Sequence, residues 1–210
     1  MSSTSVVHIV RHGHVHNPGD VLYGRLPGFG LSELGFQMAA VLGEHFANQD
    51  LVHLVSSPLQ RALETMDPIA AKYPALTIHV EERVIEAENV FEGRVFGKRY
   101  ELLFRPSSWP ALRNPLRPSW GEPYQEIAAR MHAAIRDAHT QATKIGGDAV
   151  IVSHELPIWI ARRLAEGKGF VHDPRCRHTR LASVTSFSFD AGKLVCRGYS
   201  EPAAALLASV

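Results

Sequence analysis

Cysteine is scarce in this chain of 210 residues: Cys176 and Cys196 are the only two. They read better as ordinary buried small residues than as a disulfide. Long apolar runs are also missing, since nothing approaches the roughly 18 consecutive residues that a membrane-crossing helix needs. Excess charge of either sign is absent: 22 Lys and Arg stand against 21 Asp and Glu, a formal net charge of +1. That balance gives no general attraction for nucleic acid or an anionic membrane, so any preference for anions must be local. Met1 to Ser5 lacks a basic stretch followed by an apolar one, which argues against a secretory signal and for a cytoplasmic location. With 45% hydrophobic and 20% charged residues, the chain is expected to fold as one globular domain spanning 1–210. What it does have is histidine. There are 12, and four of them (His8, His12, His14, His16) fall within the first 16 residues.

Apolar periodicity sets out the elements. Val6–Val10 is a short β-branched run that ends in Arg11-His12-Gly13. After a Gly- and Pro-rich loop, Ser32-Glu33 opens an amphipathic helix through Leu34, Met38, Val41, Leu42, His45 and Phe46. Leu51–Val55 predicts a second strand ending in Ser56-Ser57-Pro58, Leu59–Tyr73 a helix, and Leu76–Val80 a third strand. The longest helix is predicted over Glu122–Lys144 and stops at Gly146-Gly147. Ala149–Val152 is a fourth strand, running into Ser153-His154-Glu155 and a helix over Leu156–Ala165. Val184–Phe189 and Lys193–Tyr199 flank Asp190-Ala191-Gly192 as a hairpin at the sheet edge. The Ala-rich stretch 202–210 is expected to be a loose tail. Strands alternating with helices predict a three-layer α/β sandwich: a mainly parallel central sheet with helices on both faces.

In such a sheet the strand ends converge. Arg11-His12, Ser56-Ser57 with Arg61, and Ser153-His154 all follow strands and share one rim. Arginine presents a planar fork of donors suited to phosphate oxygens, and histidine can serve as nucleophile or proton carrier. Strand-end arginines also cap helices or pair with acids, so a purely structural role stands beside the functional one. A metal site formed by His8, His12, His14 and His16 is disfavoured, because Pro18 and Gly19 interrupt the run and no cysteine lies near it.

At these residues the chain resembles the histidine phosphatase superfamily, in its phosphoglycerate-mutase-like branch. Val6–Gly13 resembles the opening strand with its RHG signature, and Leu31-Ser32-Glu33-Leu34-Gly35 the following helix start. Ser56-Ser57-Pro58-Leu59-Gln60-Arg61-Ala62 resembles the S-S-P-x-x-R-A element, and Val152-Ser153-His154 the late strand-to-histidine element. The resemblance implies a phosphatase that needs neither metal nor other cofactor and acts on a small phosphorylated molecule. His12 would be the nucleophile, with Arg11, Arg61 and His154 around the phosphoryl oxygens. Aligning on Glu92-Gly93 places the general acid on Glu86, with Glu88 its nearest competitor. Asn17 and Arg25 are the further substrate-binding candidates. A phosphoglycerate-type mutase and a catalytically decayed phospho-ligand binding protein are the alternatives, and oligomeric state stays open.

The chain departs from that pattern in three places. Val15 stands where the family often has threonine, Asn17 comes one position earlier than the family's asparagine, and Glu155 follows His154 where a small residue is usual. A carboxylate there repels phosphate unless it turns away or pairs with an arginine. Segment 91–120 reads as a cap or lid broken by prolines, holding Arg94, Lys98, Arg99, Arg105, Arg113 and Arg117 against only Glu92 and Glu101. Its basic and aromatic content suits a substrate with a second anion or a flat ring, and equally suits a solvated basic face.

Overall fold

The computed structural model of the chain describes residues 5–95 and 121–208. Strands β1 (Val7–Arg11), β2 (Leu51–Ser56), β3 (Ile78–Val80) and β4 (Asp148–Ser153) run parallel, and β5 (Val184–Asp190) and β6 (Lys193–Ser200) form the antiparallel hairpin. They make one six-stranded sheet in the order β3-β2-β4-β1-β5-β6. The order puts β2, β4 and β1 side by side in the middle, so their carboxyl ends share one rim.

Alternation along the strands assigns the two faces. Val7 and Ile9 of β1 and Ala149 and Ile151 of β4 enter one core, packed against α3 (Tyr124–Ile145) and α4 (Glu155–Ala165). Val10, Val150 and Val152 enter the opposite core, against α1 (Glu33–Phe46) and α2 (Gln60–Ala70). The sheet is buried on both faces, which is why its middle strands read as continuous apolar runs. Ser32 caps α1 by accepting from the Gly35 N–H, and α3 ends at Gly146, whose φ of 96° is left-handed.

Two differences from the predicted elements have simple causes. The third strand is only three residues long, because β3 is an edge strand and pairs with β2 alone through Ile78, His79 and Val80. The stretch expected to be a loose tail instead forms a short helix, α5 (Ala204–Leu207), where Ala203 is buried and Leu206 and Leu207 pack on the α1–α2 core. Of the lid segment, 96–120 lies outside the described residues. No helix among the described residues is long and apolar enough to cross a membrane.

Candidate active site

The parallel rim brings the convergent residues together as its topology requires. Arg11 is the last residue of β1 and His12 follows it; Arg61 sits in the first turn of α2; His154 is the N-cap of α4. His12 is fixed from two sides. Its Nδ1 lies 2.8 Å from the Gly13 carbonyl oxygen, which can only accept, so Nδ1 carries the proton and Nε2 keeps its lone pair. Arg61 Nε donates to that Nε2 at 3.3 Å. Close backbone packing holds the turn: the Gly13 N–H donates to Thr65 Oγ1, and a Cβ on Gly13 would sit 2.7 Å from the Gly35 carbonyl oxygen.

The second histidine is equally determined. Arg61 donates through a terminal nitrogen to His154 Nδ1 at 3.3 Å, so Nε2 bears the hydrogen and donates to Ser57 Oγ at 2.7 Å. The two imidazoles face each other with ring centroids 5.1 Å apart, and Arg61 bridges them. Arg61 is 1% exposed, also donates to the Gly24 carbonyl, and lies over the Tyr23 ring with its guanidinium carbon 4.8 Å from the centroid. Burial, reinforced by the Arg61 and Arg11 charges, holds His12 well below the usual imidazole pKa. Burial does the same for His154, with His12 and Arg61 adding to it. Both rings are therefore neutral near pH 7.

His12 opens onto a cavity of about 350 Å³ that Arg11, Tyr23, Glu86, Glu155 and Arg177 also line. Arg11 donates to the Thr179 carbonyl and to Glu155 at 2.7 Å, while its buried Nε has no partner among the described residues. Glu86 is half-buried at the cavity wall, and its Oε1 accepts from the Ala87 N–H. Burial pushes its carboxyl pKa up, against the opposing pull of that hydrogen bond and the Arg61 charge. Glu88 borders the same cavity but is largely exposed and bound to Arg25. Two unlike carboxyl environments thus separate the candidates that the sequence left adjacent.

Glu155 does not confront the cavity as a free charge. Its two oxygens are taken by Arg11 at 2.7 Å and Arg177 at 3.1 Å, the pairing that relieves the expected repulsion. Arg177 and Tyr23 come from irregular loops, and only their positions around the cavity bring them into the site.

Two sequence-predicted binding residues are engaged with protein groups beside the site. The Asn17 side chain closes its own loop, donating one amide hydrogen to the Val21 carbonyl and accepting from the Val21 N–H, which ties it to the loop. Arg25 spends its fork on the cavity wall itself, donating to the Glu86 carbonyl and to Glu88 and Glu122, all three of which line the cavity. The four early histidines diverge. His8 pairs with Ser186 and His14 with Ser32, and no group of three His, Cys, Asp or Glu suited to a metal occurs among the described residues.

The chain matches the family model of the histidine phosphatase superfamily (branch 1) over residues 7–202. It belongs to that superfamily. As a histidine phosphatase superfamily member it is 48% identical to the uncharacterized protein Rv0525 of Mycobacterium tuberculosis, over 97% of this chain and all of that one. Among solved structures, this superfamily member resembles a phosphoglycerate mutase from Bacillus anthracis str. Sterne with a TM-score of 0.73 at 21% identity, over 97% of this chain and 95% of that one. It resembles mycobacterial glucosyl-3-phosphoglycerate phosphatase with a TM-score of 0.72 at 22% identity, over 92% and 96%. These two likenesses establish the fold and leave the substrate to the chemistry of the site.

Proposed function

We propose that this protein hydrolyses a small phosphomonoester through a phosphohistidine formed on His12, without a metal ion. The observation that carries the reading is the state of His12: a neutral ring with its Nδ1 proton fixed on the Gly13 carbonyl and its Nε2 lone pair facing Arg61.

In the first step the His12 Nε2 lone pair leaves its hydrogen bond with Arg61 Nε and forms a bond to phosphorus as the bond to the ester oxygen breaks, and Glu86 gives its proton to that departing oxygen. In the second step water attacks the phosphohistidine, Glu86 as carboxylate accepts the water's proton, and the N–P bond breaks. Inorganic phosphate leaves, with His12 neutral and Glu86 protonated again. Arg61, Arg11 and the α4 N-terminus supply positive potential where the phosphoryl oxygens gain charge, the part a metal ion plays in many phosphoryl-transfer sites, and His154, which donates to Ser57 and accepts from Arg61, helps hold that guanidinium in place.

Hydrolysis of p-nitrophenyl phosphate, measured with and without EDTA and beside His12→Ala, tests the reading. Activity that survives EDTA and disappears in His12→Ala supports it. Activity that persists in His12→Ala overturns the nucleophile, and transfer to a glycerate or sugar phosphate acceptor in preference to water would make the protein a mutase.

A further inference from the structure

The segment that carries Glu86 follows a single 3-10 turn (Glu82–Val84), and side chains take most of its carbonyls. Four successive carbonyls are each taken. Arg83 and Ile85 accept from a terminal nitrogen of Arg130 at 2.7 and 2.8 Å, Val84 from Ser153 Oγ at 2.7 Å, and Glu86 from Arg25 Nε at 2.7 Å. The two arginines come from regions far apart in sequence, and Glu122 ties them together. Its carboxylate accepts from Arg130 Nε at 2.6 Å and a second Arg130 nitrogen at 3.0 Å, and from Arg25 at 3.1 Å. The Glu122 side chain is only 12% exposed and that of Arg130 16%. The Glu122 N–H in turn donates to the Glu88 carbonyl, closing the far side of the same loop.

Such a network is more than stability requires. Solvent can satisfy loop carbonyls at a surface, whereas here bidentate, charge-assisted pairing fixes them in one arrangement. The group so fixed is the carboxyl next to Arg25's acceptor peptide, on the wall of the cavity into which His12 opens. We propose that Arg130, Glu122 and Arg25 are positioning residues for the acid: they do not contact the phosphoryl group but hold Glu86 where its proton meets the departing oxygen. The proposal rests on Glu86 being the general acid. Arg25, read from the sequence as a binder of substrate, here serves the reaction through the Glu86 main chain.

A positioning role has a readout that loss of folding or of phosphate binding does not share. A leaving group that is already a stable anion needs no proton, so misplacing the acid should slow only esters of poor leaving groups. The experiment compares kcat/KM for β-glycerol phosphate and 2,4-dinitrophenyl phosphate in wild type, Arg130→Met, Arg130→Lys, Glu122→Gln and Glu86→Gln. Because kcat/KM ends at formation of the phosphohistidine, it isolates the step in which the ester oxygen departs.

A displacement on the order of 1 Å can cost about 100-fold when geometry is critical. We therefore expect Arg130→Met to lose about 10- to 100-fold on the glycerol ester and less than about 3-fold on the dinitrophenyl ester. Arg130→Lys and Glu122→Gln should lose less in the same selective sense, and they carry the comparison if Arg130→Met does not fold. An equal loss on both esters, or no loss on either, overturns the positioning role. Glu86→Gln separates the two readings. If it shows no selectivity for the leaving group, the assignment of the acid itself fails; if it does and the Arg130 and Glu122 variants do not, only the present inference fails.

Discussion

Arg61 is a buried cation with no ion-pair partner among the described residues. It is 1% exposed, its hydrogen-bond partners are His12, His154 and the Gly24 carbonyl, and none of the ion pairs among the described residues includes it. Keeping a guanidinium out of water in this way costs several kcal/mol. Replacing it with methionine removes that cost but strands the Gly24 carbonyl and two imidazole acceptors, at about 1–3 kcal/mol each. The two effects oppose each other, so the melting temperature of the ligand-free Arg61→Met variant should stay near that of wild type. The anion-linked part does not cancel. A ligand at 100 times its Kd stabilises a protein by about 2.7 kcal/mol, and at this chain length each kcal/mol moves Tm by about 2–4 °C, so phosphate should raise the wild-type Tm by about 5–11 °C. Differential scanning fluorimetry across a titration of inorganic phosphate, with chloride at matched ionic strength as control, measures both quantities. Arg61→Met should lose nearly all of the phosphate-dependent rise. A variant that keeps the wild-type shift would refute the claim that this guanidinium binds the phosphoryl group.

Three further outcomes follow from the same geometry. Ser57→Ala leaves the His154 Nε2–H buried without its acceptor, at about 1–3 kcal/mol, so thermal melting should show a drop of roughly 2–12 °C, and kcat/KM should fall with it. Unchanged melting would contradict the assigned tautomer. The pH profile of kcat/KM should be bell-shaped. Activity falls toward acid as His12 takes up a proton below the usual imidazole range, and falls toward alkali as Glu86, raised above the usual carboxyl range, loses its own; Glu86→Gln should abolish the alkaline limb. A Cβ on Gly35 would lie 2.0 Å from the His14 carbonyl oxygen, so Gly35→Ala should destabilise by about 1–3 kcal/mol in urea unfolding and displace the His12 turn, lowering kcat as well.

The parts of the molecule legible in the sequence are those set by local pattern. The β-branched runs of β1, β2 and β4 are buried on both faces, so their apolar continuity was visible, and the polar residues at their ends had to share a rim once the strands were parallel. For that reason the sequence put His12, Arg61 and His154 on one rim, and the structure brings their side chains into contact. Glu86 was placed by family resemblance, and burial then distinguished it from Glu88. Contacts between distant segments were not legible. Arg25 looked like a surface ligand because its partners Glu86, Glu88 and Glu122 lie 61, 63 and 97 residues away. Asn17 looked like a donor for substrate until the Val21 peptide four residues on took both ends of its amide. Arg177 carried no signal at all, since it reaches Glu155 from a loop without periodicity.

The central claim is that the His12 imidazole is itself phosphorylated during turnover. Rapid quench into alkali, which preserves phosphohistidine, followed by peptide mass spectrometry tests it directly after brief mixing with 2,4-dinitrophenyl phosphate. The account predicts one phosphoryl group on the peptide containing His12, formed within the first turnover, discharged on the timescale of kcat, and absent from His12→Ala. A turning-over enzyme whose His12 peptide stays unmodified at every time point, or a phosphoryl group found on another residue, would contradict it.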